Sequence, residues 1–129
     1  MKSLSFEWVA KAEGDFASAQ RELKARKSPN FDAACFHAQQ CAEKYLKARL
    51  QEAGIAFGRS HHLTALLDLA LPLEPMWEAS RADLATLTAY AVEFRYPGES
   101  ANRSLAKEAI RRCASFREIA RTSLGLPGT

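Results

Sequence analysis

Apolar and small residues recur along the chain at alternating steps of three and four, and almost nowhere at steps of two. That period marks helices with one buried face rather than strands. Breaker clusters cut the pattern at Lys27–Asn30, Gly54–Gly58, Leu71–Pro75, Tyr96–Gly98 and the Leu126–Gly128 tail. Long periodic segments with short connections pack as antiparallel neighbours. The chain therefore reads as all-α, an up-and-down bundle of about five helices forming a single domain over residues 1–129.

The first helix is expected over about Ser5–Arg26, with Phe6, Val9, Phe16 and Leu23 inward. Gly14 lowers helix stability by about 1 kcal/mol against Ala, which a close helix crossing at that point would justify. The second runs from an Asn30 N-cap to a Gly54 C-cap. The third is short, Ser60 to about Leu71, capped by Ser60 or a neighbour. The fourth spans about Pro75–Arg95 with Leu84, Leu87, Ala91 and Phe94 inward. The fifth spans about Ser100–Leu124 with Ala106, Ala109, Cys113, Phe116 and Ala120 along its seam. Its Arg103, Lys107, Arg111, Arg112, Arg117 and Arg121 read as a solvated face, with weak RNA contact as the second choice.

The second helix carries more than one pattern. At about 100° per residue, Ala34, Ala38, Cys41, Tyr45 and Ala48 form a packing seam of mostly small residues. A second line holds His37, Gln40, Lys44 and Lys47, which suits either a solvated face or an anion with hydrogen-bonding edges, such as a phosphate or nucleotide. A third line of Phe36, Gln39, Glu43, Leu46 and Leu50 is mixed, and fits either a wide core or contact with a second subunit. Cys35 and Cys41 point about 120° apart on a helix, so one ion could not take both, and no metal site is expected.

Composition narrows the choices. The 129 residues are 47% hydrophobic and 26% charged, which is globular rather than disordered. A net charge of +3 from 18 basic and 15 acidic side chains permits a nucleic-acid or nucleotide partner without demanding one. Three cysteines, no secretory pattern at the start and no membrane-length apolar run fit a reduced, cytoplasmic protein with no membrane partner. Two further clusters carry chemistry. Arg59-Ser60-His61-His62 lies at a loop-to-helix junction, where backbone N–H groups attract anions. Arg95 and Tyr96 place a cation and an aromatic ring at a bundle end, a pairing that can hold a phosphate and stack a base.

These stretches carry a family resemblance. FHAQQCAEKYLKARL at 36–50, SHHLTALL at 60–67 and FRYP at 94–97 make the chain resemble a HEPN domain over nearly its whole length. The family has an Asp where this chain has His62. The resemblance implies a bundle of about five helices that dimerises. It implies a partner minimal nucleotidyltransferase, a nucleotide or RNA ligand, and a place in a toxin–antitoxin-type pair, with no cofactor. It also implies a ligand face of His37, Gln40, Lys44, Lys47, His61, Arg95 and Tyr96. Some members are metal-independent ribonucleases that use an Arg and a His with about four to six residues between them. Here the positions at that distance after Arg95 are Ser100, Ala101 and Asn102. The nuclease motif is absent, so no catalytic residue is assigned. A non-catalytic binding module is the first expectation, and a ribonuclease using another residue set, such as His61 or His37 with Arg95, is the second.

Overall fold

The structure is a computed structural model that describes residues 1–128. Five α-helices and one 3-10 turn follow in order: α1 (Ser3–Lys24), α2 (Phe31–Ala53), α3 (Leu63–Ala70), the 3-10 turn Pro75–Ser80, α4 (Arg81–Glu93) and α5 (Arg103–Ser123). Helix α2 is the hub and packs against each of the other four helices. Bonds from Lys2 to Glu52 and from Asp15 to His37 show α1 running antiparallel to α2. Tyr90 meets Glu108 and Asp83 meets Arg112, so α4 and α5 are antiparallel as well. The result is the expected up-and-down bundle, with α3 and the 3-10 turn bridging α2 to α4. Among the described residues, no helix is long and apolar enough to cross a membrane.

Local chemistry explains the boundaries. Asn30 accepts the Ala33 N–H at 2.9 Å, and Gly54 ends α2 in the left-handed region at φ 72°. Asn102 caps α5 by accepting from Leu105 at 2.8 Å, so that helix starts slightly later than Ser100. Helix α3 also starts late. Ser60 Oγ accepts the His62 N–H at 3.2 Å in a turn that precedes the helix, which leaves α3 without a side-chain cap. The expected fourth helix is split, because the Pro75 segment winds as 3-10 before α4 begins. That turn buries Trp77 edge-on against Phe116, ring centroids 5.1 Å apart.

The α2 seam of Ala34, Ala38, Cys41, Tyr45 and Ala48 and the α5 seam are fully buried. Helix α1 corrects its expected face. Ser5, Val9, Ala12 and Ala19 are buried, Phe16 and Leu23 pack only partly, and Phe6 is 52% exposed. Small residues, rather than the large ones, meet the small α2 seam and let the two helices approach closely. Gly14 lies at no close crossing, since a Cβ there would have no neighbour within 4 Å.

The three long helices are tied by one polar assembly. Tyr45, fully buried on α2, donates its hydroxyl proton to Glu13 on α1. Arg117 on α5 donates twice to the same carboxylate, at 2.7 Å each, and lies over Phe16. Arg121 donates to the Tyr45 oxygen at 3.0 Å. Arg112 likewise spans Glu108 and Asp83. Three of the α5 arginines are thus internal braces rather than a solvated face. Burial alone would raise the Glu13 carboxyl, but the bonds from Arg117 and Tyr45 outweigh it and hold it below its ordinary value. Burial, then the bond to Glu13, pushes the Tyr45 phenol upward.

Two predictions follow from this packing. A carboxyl lowered by folding lends stability that is full above its unfolded value near 4.5 and is lost as pH falls through its folded value. Glu13→Gln should therefore cost about 1–3 kcal/mol at neutral pH and flatten the acid side of the stability profile, measured by urea melts from pH 7 to pH 3. The thiols give the second. Burial pushes Cys35 up to about 11, and burial together with the neighbouring Cys113 pushes Cys41 well up. All three thiols are buried and free, so an aromatic disulfide reagent should label none in the native protein and three in denaturant.

Candidate functional site

Helix α2 projects Phe36, Gln39 and Gln40 toward α4, which faces them with Thr88, Ala91 and Val92. The loop before α3 supplies His61 and His62, and Arg95 closes the site just after α4. Together they enclose a cleft of about 440 Å³. A neighbouring cleft of about 370 Å³ shares Phe36, Ala91 and Arg95 and extends to Asp32, Tyr90 and Phe94. Phe36 and Val92 stay 39% and 51% exposed, so the rim is apolar and open.

His61 is held from two sides. Its Nδ1 lies 3.0 Å from Glu43 Oε1, and its backbone carbonyl accepts from Gln39 Nε2 at 3.1 Å. The carboxylate can only accept, so Nδ1 carries the proton and Nε2 is left for a ligand. The His61 side chain is 74% exposed, while Glu43 is only 3% exposed. Glu43 in turn takes the Lys47 ammonium at 3.2 Å. Lys47 is buried too, with the rings of Trp8 and Phe57 at 5.5 and 5.7 Å from its nitrogen. Those two rings meet edge-on at 5.9 Å. A buried ion pair of this kind is costly to desolvate and holds only when its remaining valences are satisfied. The aromatic faces and His61 satisfy them here.

The expected ligand face divides. Gln40, His61 and Arg95 converge on the cleft. His37 and Lys44 instead share the carboxylate of Asp15 on α1, His37 at 2.8 Å. Lys47 is the buried partner of Glu43, and Tyr96, 60% exposed, lines neither cleft. The aromatic ring at the cleft is Phe36. Among the described residues no carboxylate pairs with Arg95, whereas Arg112, Arg117 and Arg121 are all engaged. Arg95 is thus the fixed cation of the cleft that is free to meet an anion.

Sequence reasoning passed over Glu43 and Gln39 as site residues. It put Lys47 on a line that was either solvated or anion-binding, and Glu43 on a mixed line of core or subunit contact. The signal was present: Gln39, Glu43 and Lys47 run in one line that continues into Leu46 and Leu50, and all five side chains are buried. A polar line merging with an apolar one is a sign of a buried network rather than of solvation.

Comparison with known proteins agrees with the architecture. A search of curated proteins finds no match. An archaeal HEPN homologue of known crystal structure superposes with a TM-score of 0.71 at 25% identity, covering 96% of this chain and 99% of that one. The HEPN domain family model matches residues 6–123, from the start of α1 to the end of α5. With the fold, the described helices and the family match spanning the same residues, the chain belongs to the HEPN domain family.

Proposed function

We propose that this domain is a non-catalytic binding module whose α2–α4 cleft takes a nucleotide, either free or held by a partner minimal nucleotidyltransferase. The observation that carries the reading is the convergence of Arg95, His61 and Gln40 on one cleft lined by Phe36. A guanidinium with no protein carboxylate suits a phosphate, and His61 joins it as the imidazolium, donating from Nδ1 to Glu43 and from Nε2 outward. An aromatic ring beside an amide suits a base. HEPN domains often dimerise, and many occur in toxin–antitoxin systems. The open apolar rim of Phe36 and Val92 fits contact with a second protomer or with such a partner.

Thermal melting tests this. A ligand at ten times its Kd adds about 1.4 kcal/mol, which shifts a domain of this size by roughly 3–6 °C. ATP or AMP should produce that shift in the wild type, and Arg95→Ala combined with His61→Ala should remove it. Lys44→Ala should lower the starting Tm but keep the shift, because its ammonium is committed to Asp15. If no nucleotide moves the transition, alone or beside a nucleotidyltransferase, the reading is wrong.

One observation favours a second reading, metal-independent RNA cleavage. The Glu43–His61 hydrogen bond orients an imidazole as a proton acceptor beside Arg95. On this reading cleavage proceeds in chelator, leaves 2′,3′-cyclic phosphate ends, and disappears in His61→Ala. A gel of labelled RNA with no product above background removes it.

A further inference from the structure

Two adjacent glutamines on α2 form a relay whose orientation is decided by chemistry alone. Gln39 is 3% exposed and reaches two groups that can only accept: the His61 carbonyl at 3.1 Å and Glu43 Oε1 at 3.4 Å. Both demand its NH2 group. Its oxygen therefore faces the other way, and Gln40 meets it with Nε2 at 2.8 Å. Because that oxygen can only accept, Gln40 cannot flip either. The His61 carbonyl thus sets the direction of an amide one residue further along. What Gln40 has left for the cleft is its oxygen and its second N–H, an acceptor beside a donor.

Phe36 lies one helical turn before Gln40 and lines the same cleft. A base stacked on Phe36 would present an edge to that acceptor–donor pair. A purine covers more of the ring than a pyrimidine. Adenine offers a donor next to an acceptor on both its hydrogen-bonding edges, N6 with N7 and N6 with N1. Guanine offers two acceptors, N7 and O6, on the edge where adenine offers N6 with N7, and there it leaves the amide oxygen unpaired. The charge of the cleft is small: one guanidinium, with the imidazoles of His61 and His62. That matches a single phosphate better than a triphosphate. At about 440 Å³ the cleft falls within the range of small-ligand sites.

We propose that Gln40, locked by Gln39, is the base-reading residue of the cleft, and that the cleft selects an adenine mononucleotide. Phe36 stacks the base, Gln40 pairs with its amine-bearing edge, and Arg95 with His61 holds the phosphate. This rests on the nucleotide-cleft reading above and adds the identity of the base to it.

Calorimetric titration of the full chain with AMP, IMP and GMP separates the two claims. IMP replaces the adenine amine with a carbonyl and N1 with N1–H, and keeps the sugar and phosphate. AMP should bind at least about fivefold more tightly than IMP or GMP, the low end of what one bidentate amide contact discriminates. Gln40→Leu, close in volume, should erase that preference while purine nucleotides still bind and still require Arg95. Equal affinities for AMP and IMP with Arg95-dependent binding would overturn base reading and leave the cleft standing. A preference that persists in Gln40→Leu would overturn it as well. Absence of binding by all three would overturn the cleft and the base reading together.

Discussion

Everything in this bundle depends on α2 being surrounded. A surface helix buries one stripe and gives its polar residues to water. Helix α2 touches all four other helices, so Gln39, Glu43, Tyr45 and Lys47 have almost no water to turn to. Each must find a partner on another element, because a buried donor or acceptor left alone costs more than a made bond contributes. The polar pairings of α2 are consequences of that one constraint.

Three assemblies meet it, and each ties α2 to something different. Tyr45 reaches Glu13 and Arg121, joining α2 to α1 and α5. His37 and Lys44 share Asp15, a second bond to α1 further along. Glu43 and Lys47, with Gln39, fasten the loop between α2 and α3 through His61, Trp8 and Phe57. The first two end in pairs closed within the protein. The third also opens toward the cleft, through His61 Nε2 and the free edge of Gln40. Its buried members therefore hold the hydrogen-bonding groups of the cleft in fixed directions.

The readable and unreadable parts of the sequence divide along the same line. Caps at Asn30 and Gly54, and the seams of α2 and α5, follow from local propensity and period, and the structure has them where they were expected. The inward face of α1 was drawn through the near-heptad line of Phe6, Val9, Phe16 and Leu23, of which only Val9 is buried. Phe6 is larger than Ala12 or Ala19, but close contact with a small-residue helix rewards the small ones. Gly14 was expected at a close crossing, and no neighbour stands there. Periodicity showed correctly that His37, Gln40, Lys44 and Lys47 share a line. It could not show that Asp15 waits opposite two of them, or that Trp8 and Phe57 roof a third, because those facts belong to the facing elements.

The absence of the family's Arg-to-His spacing looks, in the linear chain, like the absence of a site. In three dimensions an Arg and a His nevertheless line one cleft. His61 precedes α3 and Arg95 follows α4, separated in sequence by α3, the 3-10 turn and α4, yet they line one cleft. A compact motif sets its two residues by helical geometry alone. Here the distance between them depends on how the loop before α3 is pinned, and that pin is the buried Glu43–Lys47 pair with Gln39. The buried network is therefore more than packing: it fixes His61 against α2, while the end of α4 carries Arg95 to the same cleft.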